Sequence, residues 1–201
     1  MTRKKITALI LAGGRGSRMG SVDKGLQLFN GIPMVSHVAQ RLSPQVDAIV
    51  ISANRNIDIY GTLGHRVLAD AIDGFAGPLA GLHRGMTHAT TPLIVTAPCD
   101  SPFLPLDLVA RLLAGMEQEN ADCAVAKTYA QAHPVFCLVR CDLALHLRDF
   151  LATGQRKIDK WYSTLRVAEV SFDDQESAFA NINTESELRA LEKSASLHSQ
   201  K

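Results

Sequence analysis

A chain of 201 residues with 46% hydrophobic and 20% charged side chains has the length and apolar content for a sizeable core, which excludes a disordered or fibrous protein. Lys and Arg number 21 against 20 for Asp and Glu, so a formal charge of +1 gives no global basic field for nucleic acid, and no apolar run nears the ~18 to 20 residues of a membrane span. The charge is uneven, however: Arg3, Lys4, Lys5, Arg15, Arg18 and Lys24 crowd the N-terminal segment against the single acid Asp23, an excess suited to a small anionic ligand.

The opening MTRKKITALILAGG places basic residues before an apolar run, as a secretion signal does. The run is only about seven residues and leads into glycines and arginine, not into a small-residue cleavage site, so a cytoplasmic location is expected. ITALILA (6–12) predicts a buried strand that ends in a glycine loop. MVSHVAQRL (34–42), set between Pro33 and Pro44, predicts a helix; DAIVIS (47–52) and HRVLAD (65–70) predict the second and third strands. PLAGLHRGMTHA (78–89) predicts a helix with Pro78 in its first turn, and PLIVTAPCD (92–100) the clearest buried strand. An amphipathic helix is expected over 105–119, then strands over DCAVAKTY (122–129) and PVFCLVR (134–140). A helical stretch follows residue 154, then a strand over RVAEVSF (166–172) and a last helix from Thr184, where Glu187 completes a capping box.

Strands separated by helices make βαβ units, hence an α/β fold: three α/β/α layers, Rossmann-like, with a mostly parallel sheet. One domain is expected over 1–195, with 196–201 a disordered tail. Ligands of such sheets sit at the carboxyl ends of the strands, around a topological switch point. The loops after residues 11, 52, 69 and 97 are therefore expected to line one crevice. Cys99, Cys123, Cys137 and Cys141 lack CxxC pairs. Cys137 and Cys141 near His133 and His146 raise the question of a metal, but HPVFCLVRCDLALHL runs as a strand into a helix, where cysteine is commonly a small core residue.

The stretch LILAGGRGSRMGSVDKG (9–25) carries the chemistry. A Walker A loop needs a lysine between glycine and Ser or Thr, which is absent; a G-x-G-x-x-G fingerprint fails at Met19. A third pattern, L-A-G-G-x-x-x-R-M-G followed by D-K-G, is complete in Leu11, Ala12, Gly13, Gly14, Arg18, Met19, Gly20, Asp23, Lys24 and Gly25. Adjacent glycines let backbone N–H groups approach phosphate oxygens with no Cβ in the way. Arg18 can grip two oxygens at once, and Lys24 supplies a mobile point charge. Asp100, ending a dry strand beside the expected crevice, can hold Mg²⁺ bridging nucleotide phosphates; its plainer role is a helix cap before SPFLP.

This loop resembles the signature of nucleotidyltransferases with a Rossmann-like fold. SANR (52–55), LAD (68–70), GPLAGL (77–82), PCDSPFLP (98–105) and FANINTESEL (179–188) follow in order. Together they resemble the MobA family of molybdenum cofactor guanylyltransferases over nearly the whole chain. The resemblance implies that Arg18, Lys24 and Asp100 are catalytic, with Asp100 the Mg²⁺ ligand. It also implies that Leu11, Ala12, Gly13, Gly14, Lys24, Asn54, Asp70, Gly77, Gly81, Asp100, Asn181 and Asn183 line the nucleotide and acceptor site. Asn54 offers a base or ribose edge a donor and an acceptor, or simply forms a turn. Asp70 contacts the nucleotide or caps its loop. Gly77 and Gly81 avoid obstructing a base or sugar, although helix packing explains Gly81 equally well. Asn181 and Asn183 alternate and face one side of an extended segment, near the acceptor or metal or as turn formers before Thr184. In GQRKIDKWY (154–162), Trp161 either stacks on a pterin ring or is the buried aromatic of a solvated helix.

The implied reaction joins GTP to Mo-molybdopterin, giving molybdopterin guanine dinucleotide and pyrophosphate, with Mg²⁺ as cofactor. The implied protein is a monomer with no nucleic-acid or membrane partner. It makes transient contacts with a GTPase adaptor, molybdopterin-synthesis proteins or apo-molybdoenzymes. Alternatives are a cytidylyl or sugar-phosphate nucleotidyltransferase on the same scaffold, and a nucleotide-binding chaperone that delivers the cofactor without chemistry.

Overall fold

The computed structural model describes residues 4–12, 23–69, 77–180 and 182. Strand β1 (Ile6–Leu11) is apolar on both faces: Ile6, Ala8 and Ile10 enter one core and Leu9 the other. A strand of that kind is stable only in the middle of a sheet covered on both sides. A short hairpin, β2 (Leu28–Phe29) and β3 (Ile32–Pro33), then leads into α1 (Met34–Leu42). Met34, Val35, Val38, Ala39 and Leu42 recur at helical spacing along α1 and are all buried. The helix gives way at Ser43 to a 3₁₀ turn containing Pro44.

β4 (Ala48–Ser52) and the three-residue β5 (Arg66–Leu68) flank α2 (Ile57–Gly61). Then come α3 (Pro78–His88), β6 (Leu93–Pro98) and α4 (Leu108–Gln118). α4 begins three residues inside the expected span, because residues 105–107 form a turn in which Leu108 N–H reaches the Pro105 carbonyl at 3.4 Å. β7 (Cys123–Thr128) and β8 (Gln131–Arg140) form a hairpin, followed by α5 (Ala144–Ala152), α6 (Ile158–Tyr162) and β9 (Val167–Ser171). The last helix expected from Thr184 lies outside the described residues.

Seven of the strands make one sheet in the order β5-β4-β1-β6-β8-β7-β9, with only β8 antiparallel to its neighbours. Helices α1, α2 and α4 bury Val35, Val38, Tyr60, Leu108 and Leu112 against one face. Helices α3, α5 and α6 bury Leu79, Leu82, Leu147 and Trp161 against the other. The expected three-layer α/β fold with a mostly parallel sheet is therefore what forms. From β1 the chain steps outward to β4 and β5, then returns to pair β6 on the opposite side of β1. That reversal makes the β1–β6 boundary the switch point of the sheet.

Candidate active site

Four parallel strands end level with one another. Leu11 is flanked in register by Ser52 and Pro98, and Ser52 by Leu68. The pairing continues one step past the strands: Ala12 N–H donates to the Ser52 carbonyl at 2.8 Å, Ala53 N–H to Leu68 at 3.0 Å, and Cys99 N–H to Leu11 at 3.2 Å. The segments that follow these strands thus leave one edge side by side, as the βαβ pattern predicts.

At the switch point two charged side chains meet. Asp100 lies two residues beyond β6 and is only 8% exposed. Its main-chain carbonyl accepts from Ile182 N–H at 3.0 Å, which ties a C-terminal segment to the same spot. Lys24 opens a 3₁₀ turn (Lys24–Leu26) and sends Nζ to within 3.2 Å of Asp100 Oδ2. Separated by 76 positions in the chain, the two residues are brought together by the parallel pairing of β1 with β6.

Of the other expected site residues, Leu11 ends β1 and Ala12 follows it, and Asn54 is exposed two residues beyond β4. Gly77 precedes α3 at φ +141°, a backbone conformation open in practice only to glycine. A Cβ on Gly81 would stand 2.7 Å from Ser52 Oγ and 2.8 Å from Leu11 Cδ2. Close packing of α3 on the ends of β1 and β4 therefore accounts for that glycine. Gly13, Gly14, Arg18, Asp70, Asn181 and Asn183 lie outside the described residues. Ile182, which the two asparagines flank in sequence, is the residue bonded to Asp100.

Asp23, which the sequence offers only as part of the D-K-G pattern, joins the site with two side chains that the sequence does not mark, Asn56 and Tyr60. Asp23 accepts from Gly25 N–H at 3.2 Å, from Asn56 Nδ2 at 2.9 Å and from the Tyr60 hydroxyl at 2.6 Å. The aspartate two residues before a glycine is a readable turn signal; its partners Asn56 and Tyr60, 33 and 37 positions on, leave no local mark. Cys99 sits beneath this cluster. Burial pushes its thiol well above the ordinary range, and the neighbouring Asp100 and Asp23 charges push the same way, so it stays neutral and is no nucleophile.

Among the described residues no three His, Cys, Asp or Glu side chains gather to hold a metal of their own. Asp23 is committed to its three donors, which leaves Asp100 as the carboxylate beside Lys24. A single carboxylate completed by phosphate oxygens and water suits a Mg²⁺ ion that arrives with a nucleotide.

The ring-stacking role considered for Trp161 is not what the fold uses. Trp161 is fully buried in the core that α3 and α5 share, and its Nε1–H donates to His146 Nδ1 at 3.1 Å. Cys123 and Cys137 are likewise buried in this core, and Cys137 Sγ lies 3.1 Å from Thr96 Oγ1. His133 lies flat against the Phe179 ring, with centroids 4.6 Å apart.

A model of the MobA-like NTP transferase domain matches residues 8–169. A protein of Cupriavidus taiwanensis named molybdenum cofactor guanylyltransferase is 51% identical over 197 residues, covering 96% of this chain and 98% of the relative. A protein of the same name from Bordetella pertussis is 50% identical, covering 94% and 98%. Among solved structures, molybdopterin-guanine dinucleotide biosynthesis protein A from Archaeoglobus fulgidus superposes with a TM-score of 0.77 at 23% identity, covering 94% of this chain and 98% of that one. A 4-diphosphocytidyl-2C-methyl-D-erythritol synthase from Anaerococcus prevotii reaches 0.74 at 12% identity, covering 96% and 99%. At such identities the two structures speak for the fold alone. No helix among the described residues is long and apolar enough to cross a membrane.

Proposed function

The chain belongs to the MobA-like NTP transferase family, and from that premise we propose that it is a molybdenum cofactor guanylyltransferase: GTP and Mo-molybdopterin give molybdopterin guanine dinucleotide and pyrophosphate. The observation that carries this reading is the meeting of Lys24 Nζ and Asp100 Oδ2 at 3.2 Å across the switch point. A triphosphate needs a cation and a metal-binding carboxylate together at that place. Near-full-length relatives at about 50% identity support the guanylyl specificity.

The terminal phosphate oxygen of the acceptor is already ionised at neutral pH, so no general base is required. In line, it bonds to the α-phosphorus of GTP as the bond from that phosphorus to the bridging oxygen breaks, and pyrophosphate carries away the electron pair. The obstacle is an anion approaching a polyanion. Lys24, with Arg18 and the N–H groups of Gly13 and Gly14, offsets that repulsion and the charge gathering on the leaving group. Asp100 is the residue that would hold Mg²⁺, and the ion when bound neutralises phosphate charge. We assign Leu11 and Ala12 to the phosphate end of the site, Asn54, Asp70 and Gly77 to the base and ribose, and Asn181 and Asn183 to the acceptor end; Gly81 lets α3 pack against Leu11 and Ser52 beside them. The protein acts as a cytoplasmic monomer over 1–195, in transient contact with a GTPase adaptor, molybdopterin-synthesis proteins or recipient apo-molybdoenzymes.

Equilibrium titration with GTP, with and without Mg²⁺, tests the site, and acceptor-dependent release of pyrophosphate tests the reaction. Binding strengthened by Mg²⁺ and pyrophosphate formed only with molybdopterin present are expected. GTP binding indifferent to Mg²⁺, with no pyrophosphate formed, would leave a nucleotide-binding chaperone instead.

A further inference from the structure

The Asp23 carboxylate gathers donors from two separate segments. Gly25 N–H comes from its own turn, while Asn56 Nδ2 and the Tyr60 hydroxyl come from the segment after β4. Tyr60 is fully buried in α2, packed in the core shared with α1 and β4, so its ring fixes where the hydroxyl points. Burial, reinforced by the hydrogen bond to Asp23, raises that phenol far above its ordinary range, so it remains a donor throughout the working pH range. On the other side of Lys24, Gly25 is pressed so closely that a Cβ there would meet Tyr60 Oη at 2.5 Å and Cys99 Sγ at 3.1 Å. Lys24 is thus held at both neighbours, by Asp23 bonded to Tyr60 and by Gly25 packed on Tyr60 and Cys99. Cys99 is itself the residue before Asp100.

We infer that Tyr60 and Asn56 are positioning residues: through Asp23 they fix the turn that sets the Lys24 ammonium against Asp100, without themselves touching the reacting atoms. The inference rests on the reading of Lys24 and Asp100 as the groups that meet the triphosphate. A long flexible lysine stem gains in transition-state stabilisation when its backbone is immobile, because the charge need not be reorganised as the leaving group forms. The same bridge joins the phosphate turn to the segment that begins with Asn54, so both parts of the nucleotide site rest on one carboxylate.

A double-mutant cycle tests this. Tyr60→Phe keeps the ring in the core and removes only the hydroxyl. Asn56→Gly keeps the left-handed backbone of that residue, φ +51°, and removes only the amide. Each single change is expected to lower kcat about tenfold, as loss of one hydrogen bond to a charged group implies, with a smaller change in KM for GTP. In a Lys24→Ala background, followed by single-turnover pyrophosphate release, the same changes are expected to cost less than about twofold, because the group they position is gone. A merely structural role would lower both backgrounds alike. The inference is overturned if the single variants stay within about twofold of the parent, or if their losses recur in full without Lys24. Should Tyr60→Phe not fold, the exposed Asn56→Gly carries the cycle alone. Undiminished turnover in Lys24→Ala would sink the triphosphate reading itself, and this inference with it; a large loss there combined with additivity sinks the inference only.

Discussion

Replacing Asp100 by Asn keeps the side chain's shape and removes its charge. Two independent magnitudes follow. The fold holds this residue chiefly by its main chain: the carbonyl accepts Ile182 N–H at 3.0 Å, a bond the substitution leaves alone. The side chain's ion pair is with Lys24, whose own side chain is 36% exposed, so solvent screening limits its contribution to about 0–1 kcal/mol. For a chain of this size that corresponds to a melting shift of no more than about 4 °C. The chemistry is expected to suffer far more. Loss of one preorganised group acting on developing charge costs ~3–4 kcal/mol, or about 10²- to 10³-fold in kcat. Thermal unfolding and pyrophosphate release with GTP, Mg²⁺ and molybdopterin measure both on one preparation. Turnover within about threefold of the parent would remove Asp100 from the chemistry, because a charge at the reacting phosphates cannot be lost so cheaply. A melting loss well beyond about 4 °C would instead make it a structural residue.

Three other outcomes are expected. Gly25→Ala forces a Cβ to 2.5 Å from Tyr60 Oη and should cost about 1–3 kcal/mol in urea denaturation while lowering turnover; unchanged activity would show that the turn's position does not matter. Trp161→Ala should destabilise by about 3–5 kcal/mol through the cavity it leaves, whereas Trp161→Phe should keep the acceptor KM within about twofold; a selective rise in that KM would restore a ring-stacking role. Burial holds the imidazoles of both His83 and His133 below their ordinary value, with Arg148 and Arg84 adding to the effect at His83. The folded state therefore resists their protonation more than the unfolded chain does, so their contribution is complete above pH ~6.5 and is lost as pH falls below it. The urea midpoint should decline from pH 6.5 toward 5, with a shallower slope in His83→Gln; a slope unaltered by that change would refute the assignment.

Much of the layering was legible because its signals are local. The apolar run from Ile6 could only be a strand covered on both faces, and the spacing of Met34, Val35, Val38 and Leu42 could only be a helix lying on one. The level ends of β1, β4, β5 and β6 follow from the βαβ order, so Lys24 and Asp100 could be assigned to one crevice before their 3.2 Å separation was known. What escaped detection depends on distant partners. Asp23 is a plain turn residue until Tyr60, 37 positions on, donates to it. Trp161 beside Arg156, Lys157 and Lys160 reads as a ligand platform or as a buried aromatic, and only its burial and its bond to His146, 15 positions back, decide for the second. For Gly81 the sequence allows either room for a base or sugar or helix packing, and the approach of α3 to Leu11 and Ser52 supplies the second, whereas the φ of +141° at Gly77 has no local signal.

The most direct test of a guanylyl-transferring site at the β1–β6 switch point is to offer GTP, CTP, ATP and UTP in turn, each with Mg²⁺ and molybdopterin, and measure pyrophosphate released. Strong preference for GTP, dependent on the acceptor and abolished by Asp100→Asn, is the result expected. Preference for CTP would assign the protein to a cytidylyl branch, and release from every nucleotide unaffected by that substitution would contradict the site itself.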